Sequence, residues 1–197
     1  VFAGDHGLNE AGVSAYPSAV TAAMVATLLA GRASANAFAR VVGAEVRVVD
    51  AGVAADLAPH RLLIEAKVRK GARNAATGPA LTAQEVDLAL ARGAAIAREA
   101  LQDFDILAVG EMGIGNSASA ALVLHRLAPA PLDDCIGLGA GHDPEGFARK
   151  QAVLHQAAAR GPVSTPREVL AQFGGLEIVM MAGAILGAAA AGKPVLV

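Results

Sequence analysis

The chain has 197 residues, a formal net charge of −2 and a 54% share of hydrophobic residues, so it is long enough to form one domain around a sizeable core. The near-neutral charge argues against a nucleic-acid partner or a membrane surface, and the single cysteine, Cys135, excludes an internal disulfide framework. The five histidines show no close metal-ligand spacing, and no uninterrupted apolar run is long enough to cross a membrane, so we expect no metal and a soluble, cytoplasmic protein.

The first part of the chain alternates strand patterns with helix patterns. Residues 1–3 are typical of the end of a buried strand, and the alternating, β-branched residues 45–49 predict a second strand. Between them, apolar residues recur at helical spacing after Pro17, and Ser34 can cap a second, short helix. The stretch 57–76 has no clear period and is predicted to be mostly loop with a possible short strand.

The alternation continues in the rest of the chain. Thr82 and Glu85 have the spacing of a capping box before a predicted helix over residues 83–100. The apolar run from Ile106 predicts a buried strand, and residues 132–141 are predicted to be a glycine-rich loop. Further helices are predicted over residues 144–159, residues 166–172 and the stretch from Leu176. Strands that alternate with helices predict an α/β fold with a mostly parallel, doubly wound sheet, and no composition step marks a second complete domain.

The most informative segment is ILAVGEMGIGNSASAAL, residues 106–122. Glu111 is predicted to lie just past the carboxyl end of a strand, where open α/β sheets bind ligands. Gly113 and Gly115 permit a tight turn and a close backbone approach to a ligand, and the helix opened by Asn116 offers free N–H groups to a phosphate. The segment therefore predicts an acid/base group beside an anion cradle. The alternative is an ordinary strand-to-helix turn with a surface glutamate.

Three further segments place polar and glycine residues after predicted strands or turns: Asp5–Gly7, Asp50–Gly52 and Gly137–Gly141. In a doubly wound sheet these loops collect at one edge, where together they could hold an anionic small molecule. Lys150 is a candidate partner for a phosphate, or an ordinary surface lysine. His6 is a candidate base or a structural histidine, and Tyr16 is a candidate stacking platform for an aromatic ligand or a cover for the core edge.

Several motifs, spread over nearly the whole chain, carry a family resemblance. They are VFAGDHG (residues 1–7), GVSAYP (12–17), VDAGVAADL (49–57), GEMGIGNSASA (110–120), GLGAGHDPEGFARK (137–150) and GGLEIVMMAGAILGAA (174–189). With these motifs the chain resembles the nicotinate-nucleotide–dimethylbenzimidazole phosphoribosyltransferases, enzymes of cobalamin nucleotide-loop assembly. The resemblance implies a homodimer whose Rossmann-like sheet has helices on both faces. It also implies that residues 1–197 are a single α/β core domain, and that the family's small helical domain, built from the two chain ends, is largely missing.

The resemblance also implies a reaction without a cofactor. Phosphoribose moves from nicotinate mononucleotide to 5,6-dimethylbenzimidazole, nicotinate leaves with inversion at the anomeric carbon, and α-ribazole 5′-phosphate forms. Glu111 is implied as a supporting catalytic group that stabilises a cationic, oxocarbenium-like centre. The implied substrate-binding residues are Asp5, His6, Ser14, Tyr16, Met112, Gly113, Ile114, Gly115, Asn116, Gly139, Gly141 and Lys150.

The chain departs from the family pattern in three respects. The family's general base is a glutamate that is expected beyond Val197, so residues 1–197 alone are expected to bind nucleotide but to turn it over poorly. Ala72 and Ala23 stand where the family usually has threonine and glutamine, which puts acceptor contacts in question. The preferred aromatic acceptor stays open.

The alternative function is a non-catalytic nucleotide-binding module that needs another segment for its base. A nicotinamide-dependent oxidoreductase is disfavoured, because no GxGxxG motif follows the first strand.

Overall fold

The centre of the molecule is a parallel β-sheet, seen in a computed structural model that describes residues 1–163 and 165–197. The strands are β1 (Phe2–Gly4), β2 (Val48–Gly52), β3 (Leu63–Glu65), β4 (Leu107–Ala108), β5 (Glu111–Met112) and β6 (Val195–Leu196). One sheet has the order β3-β2-β1-β5, and β4 pairs separately with β6. Every pairing is parallel, as the alternation of strand and helix patterns predicts.

Helices connect the strands and make up nearly half of the chain. They are α1 (Ala19–Leu29), α2 (Ser34–Val42), α3 (Ala83–Ala100), α4 (Asn116–Leu127), α5 (Leu132–Cys135), α6 (Pro144–Ala158), α7 (Pro166–Phe173) and α8 (Leu176–Ala190). Local sequence fixes several of their starts. The predicted Thr82–Glu85 capping box is formed at the start of α3, and the Asp143 carboxylate accepts a hydrogen bond from the Gly146 N–H at the start of α6.

Helices cover both faces of the sheet. Phe2 of β1 lies in the larger core cluster, which also holds residues of α3, α4, α7 and α8, whereas its neighbour Ala3 lies in a smaller cluster with Val25 of α1. Side chains that alternate along a strand point to opposite faces, so the two clusters lie on opposite sides of the sheet. The predicted fold class, with a parallel sheet and helices on both faces, is confirmed.

Small residues allow α3 and α8 to pack at very short range. A Cβ atom at Gly93 of α3 would collide with the Met180 carbonyl, and one at Gly183 of α8 would collide with the Leu90 carbonyl. Side chains larger than hydrogen at these positions would force the helices apart. This contact explains the glycines on the facing surfaces of α3 and α8.

Three local predictions differ from the structure. The second strand is Val48–Gly52 rather than residues 45–49, because only the later residues are buried along their whole length. The run from Ile106 is split: β4 pairs with β6, and the chain then crosses to the main sheet, where Glu111 pairs with Phe2 as the first residue of β5. The predicted loop 132–141 begins with the short helix α5, whose Leu132 is buried. Among the described residues, no helix has both the length and the hydropathy needed to cross a membrane.

Candidate active site

The loops that follow β1, β2 and β5 converge at one edge of the sheet. The Asp5 N–H donates to the Gly52 carbonyl at 3.0 Å, and Ala72 N–H donates to the Asp5 carbonyl at 2.7 Å. The Gly113 backbone lies against the Gly4 carbonyl, so closely that a Cβ atom at Gly113 would collide with it. The predicted collection of glycine-rich loops at the carboxyl edge of a parallel sheet is therefore present in the structure.

The turn between β5 and α4 holds Glu111 over the first residues of the helix. Asn116 Nδ2 donates to the Glu111 carboxylate, and Ile114 N–H donates to Thr21 Oγ1 at 3.1 Å. Gly115 has a φ of 91°, a left-handed conformation that favours glycine. Burial, reinforced by the nearby Glu177 carboxylate, raises the pKa of Glu111 above its usual range, and His6 opposes this shift. The turn thus presents a carboxyl group that holds its proton more tightly than an ordinary glutamate does.

A buried acid–base pair lies beneath this turn. His6 Nε2 is 2.6 Å from Glu177 Oε1, and both side chains are almost completely shielded from solvent. Burial alone lowers the pKa of His6, but the carboxylates of Glu177, Asp5 and Glu111 outweigh burial and raise it. Glu177 lies in the first turn of α8, where the positive end of the helix dipole favours a carboxylate.

Glu177 is a site residue that sequence reasoning missed. Its partner His6 is 171 positions away, a separation over which no local pattern gives a signal. The available signal was its context, since Glu177 is the single charged residue in the otherwise apolar helix LEIVMMAGAILGAAA. A charged side chain at a buried position of such a helix needs a partner, and that need predicts a polar site nearby.

On the other side of the α4 N-terminus, Lys150 is completely buried. Its Nζ donates to Ser117 Oγ at 3.1 Å and to the Gly137 carbonyl at 2.8 Å. Burial lowers the pKa of Lys150. No ion pair among the described residues includes this ammonium group, which has three donors and uses two. We call Lys150, Ser117 and the loop Gly137–Gly141 the lysine pocket.

The glycine loop of the lysine pocket folds closely around its neighbours. A Cβ atom at Gly139 would lie 3.3 Å from Lys150 Nζ, and Gly139 has a φ of 75°. Gly141 lies against the ring of Tyr16, and His142 Nε2 donates to the Val13 carbonyl at 2.9 Å. These contacts join the segment GVSAYP, which carries the candidate stacking residue Tyr16, to the Gly137–Gly141 loop.

Tyr16 presents an aromatic ring at the rim of the site, with 46% of the residue exposed. Ser14 Oγ accepts a hydrogen bond from the Tyr16 N–H at 3.2 Å, and Asn9 Nδ2 donates to the Tyr16 carbonyl at 3.1 Å. The polar groups of Ser14 and Asn9 therefore hold the backbone of this segment while the ring stays open to an incoming molecule.

The remaining predicted site residues have more interior positions. Asp5 Oδ2 accepts a hydrogen bond from the Ala54 N–H at 2.8 Å and so orders the loop after β2, while its Oδ1 is buried and has no hydrogen-bond partner among the described residues. Met112 pairs with Ala3 in the sheet and packs against the smaller core cluster. Across the described part of the chain, no group of three or more His, Cys, Asp or Glu side chains could hold a metal ion.

The site therefore has two charged halves on either side of the first turn of α4. One half is the Glu111 carboxyl group above the His6–Glu177 pair, and the other is the cationic lysine pocket. The helix N-terminus between them adds N–H donors and a positive dipole end. Such an arrangement suits a ligand with an anionic phosphate at one end and a centre that develops positive charge at the other.

Comparison with known proteins gives consistent matches over the full chain. A family model described as phosphoribosyltransferase matches residues 1–197. The nicotinate-nucleotide–dimethylbenzimidazole phosphoribosyltransferase of Cupriavidus taiwanensis is 47% identical over 199 residues, which cover 100% of this chain and 58% of that protein. The enzyme of the same name from Ralstonia nicotianae is 51% identical over 193 residues, which cover 96% of this chain and 54% of that protein.

A solved structure gives the same match in three dimensions. The crystal structure of CobT from Thermus thermophilus superposes with a TM-score of 0.92 at 43% identity, covering 98% of this chain and 59% of that one. The chain thus spans somewhat more than half the length of the relatives that it matches. On sequence and structure together, the chain belongs to the nicotinate-nucleotide–dimethylbenzimidazole phosphoribosyltransferase family.

Proposed function

We propose that this chain supplies the nucleotide-binding core of an enzyme that transfers phosphoribose from nicotinate mononucleotide to 5,6-dimethylbenzimidazole. The observation that carries the proposal is the buried ammonium group of Lys150, which has neutral partners and lies across the α4 N-terminus from Glu111. A buried charge without a counter-ion is unfavourable, so the pocket is completed by an anionic ligand group. The named activity of the relatives supplies the ligand class.

In this proposal the lysine pocket binds the 5′-phosphate of nicotinate mononucleotide. The third N–H of the Lys150 ammonium, the Ser117 hydroxyl and the backbone of the Gly137–Gly141 loop are the donors near the bound phosphate. The N-terminus of α4, opened by Gly115 and Asn116, contributes its dipole. Gly113 and Ile114 form the remainder of the turn against which the ribose lies.

Glu111 is placed at the reacting end of the nucleotide. As the bond between ribose and nicotinate lengthens, positive charge grows on the anomeric carbon, and a nearby carboxylate stabilises that charge. This role needs the ionised form of Glu111. Because burial and Glu177 raise the pKa of Glu111, we expect turnover to increase as the pH rises through that value.

The aromatic acceptor approaches along Tyr16. A flat benzimidazole can stack on the half-exposed ring, and Ser14 borders the same segment. Attack by the acceptor nitrogen on the opposite face from nicotinate inverts the anomeric carbon and gives α-ribazole 5′-phosphate. The general-base glutamate that the family resemblance implies would remove the acceptor proton. A homodimer and a cytoplasmic location, both expected from the sequence, form part of the proposal.

The test combines binding with product formation. Calorimetric titration with nicotinate mononucleotide is carried out on the parent chain, on Lys150→Met and on the control Lys193→Met, which removes an exposed lysine that pairs with Asp105. We expect Lys150→Met to weaken binding at least about tenfold, the scale of one lost charge-assisted hydrogen bond, and Lys193→Met to bind like the parent.

The natural full-length chain that contains these residues is then assayed for α-ribazole 5′-phosphate. Product that depends on Lys150 supports the transferase. Tight binding of nicotinate mononucleotide without product would favour the non-catalytic nucleotide-binding module. Absence of binding in a folded parent would overturn the proposal.

A further inference from the structure

The His6–Glu177 pair does not contact solvent and so lies apart from the open surfaces that meet a substrate. Both side chains are essentially buried, and the Nε2–Oε1 distance of 2.6 Å is that of a strong, charge-assisted hydrogen bond. The pair joins the loop after β1 to the first turn of α8. Burial therefore gives the pair a structural role rather than direct contact with a substrate. The pair nevertheless lies where three loops of the candidate site meet.

Glycines surround the His6 imidazole on the site side. A Cβ atom at Gly113 would lie 3.4 Å from His6 Nε2, one at Gly115 would lie 3.4 Å from His6 Cβ, and one at Gly175 would collide with His6 Cε1. The imidazole thus fills the space directly beneath the turn that carries Glu111 and Asn116. If the imidazole moves, the turn loses its support.

Glu177 has few alternatives to this partner. Its Oε2 is buried and has no hydrogen-bond partner among the described residues, and the glycine backbone at Gly4 and Gly175 lies against it. The His6 hydrogen bond and the backbone of Gly4 and Gly175 leave the Glu177 carboxylate little room, because displacing it would break that bond or press an oxygen against the backbone. The pair therefore forms a fixed contact between α8 and the turn.

We infer that His6 and Glu177 are positioning residues: the buried pair supports the Gly113–Gly115 turn and so fixes the Glu111 carboxyl group and the α4 N-terminus relative to each other. The inference rests on the proposed function for its effect on catalysis, whereas its effect on the turn can be measured without any substrate. Neither side chain contacts the reacting atoms, and neither is a catalytic residue in this account.

The experiment uses the natural full-length chain that contains these residues and compares four variants: His6→Gln, Glu177→Gln, the double variant, and Asn36→Ala as a control. Asn36 is a buried polar residue that caps α2 through a 3.0 Å hydrogen bond from the Ala33 N–H, and it takes no part in the site. For each variant, kcat and KM for nicotinate mononucleotide, the thermal unfolding midpoint and amide hydrogen exchange are measured. Glu177→Asp, which keeps the charge but shortens its reach, replaces Glu177→Gln if the latter does not fold.

We expect each pair variant to lower kcat about tenfold or more while KM changes by less than about threefold, because the turn still binds nucleotide but holds Glu111 poorly. The double variant should lose no more than the single variants, since the two residues act as one unit. The amides of Ile114, Asn116 and Ala118 should exchange faster than in the parent while α3 amides do not. Asn36→Ala should lower the unfolding midpoint without these changes.

Equal losses in kcat and binding, or a uniform rise in exchange across the protein, would make the pair an ordinary core contact and overturn the inference. An inactive parent would refute the proposed function instead. In that case faster exchange confined to the turn would still support positioning, and unchanged exchange in the turn would overturn it.

Discussion

The two halves of the site bury charge in opposite ways. Glu177 is buried with its own counter-ion, His6, whereas Lys150 is buried among neutral partners, Ser117 Oγ and the Gly137 carbonyl. A buried pair is internally balanced and is strongly destabilised when one partner is removed. A buried lone charge is unbalanced until a ligand neutralises it. On this basis we propose that the His6–Glu177 half serves the architecture and that the lysine pocket binds an anion.

The largest expected effect on stability contrasts these two halves directly. Glu177→Ala should lower the free energy of unfolding by about 3–5 kcal/mol, because it breaks a buried ion pair and leaves the buried His6 Nε2 without its partner. Lys150→Met should change it by less than about 1 kcal/mol, because two hydrogen bonds are lost but a buried charge is removed. Urea unfolding of both variants checks the contrast. A larger loss for Lys150→Met would show that the lysine is part of the core.

The next effect concerns catalysis. Glu111→Gln should lower kcat about a hundredfold in the natural full-length chain, the scale for loss of one group that stabilises transition-state charge, and should lower nucleotide affinity far less. Steady-state kinetics together with calorimetry measure the two quantities. An equal loss in kcat and affinity would mean that Glu111 only binds substrate.

A smaller effect follows from the unbalanced charge of Lys150. Inorganic phosphate at about ten times its dissociation constant should stabilise the parent chain by about 1.4 kcal/mol and should not stabilise Lys150→Met. Thermal unfolding with increasing phosphate, at constant ionic strength set by sodium chloride, separates specific binding from salt screening. Identical stabilisation of both proteins would locate the phosphate elsewhere.

The smallest expected effect is a change in the pKa of His6. Because Glu177, Asp5 and Glu111 outweigh burial, the pKa of His6 in the parent should exceed the value of about 6.5 for an unperturbed histidine. In Glu177→Gln burial should dominate, so the pKa should fall. The raised pKa means that the pair contributes its full stability below the unfolded-state value and loses it as the pH rises through the folded-state value. The NMR shift of His6 Cε1–H measures both pKa values, and a value below the unperturbed one in the parent would contradict the charged pair.

Local chemistry made much of the fold predictable. The capping box at Thr82 and Glu85 gave the start of α3, and the glycines of GEMGIGN gave the turn at the sheet edge. The sequence motifs then identified the family that the chain resembles. That residues 1–197 form a single α/β core domain stays a prediction.

The structural features that the sequence did not predict depend on contacts between distant segments. The split of the strand near Glu111 is set by β6, nearly ninety residues later, to which β4 bonds, rather than by the apolar run itself. The buried position of Lys150 arises only when α6 packs against the loop at Gly137. Glu177 acquires its role from a histidine at the opposite end of the chain. In each case the local pattern is compatible with more than one tertiary environment.

We propose that the turn at the α4 N-terminus and the lysine pocket together bind the nucleotide. Calorimetric titration of the chain with nicotinate mononucleotide tests it most directly, with Gly115→Val and Gly43→Val as matched variants. Both glycines have a positive φ, but a Cβ at Gly115 would contact His6 and Asn9, whereas one at Gly43 has open space around it. We expect binding by the parent and by Gly43→Val, and loss of binding by Gly115→Val. Equal binding by all three folded proteins, or none by the parent, would contradict it.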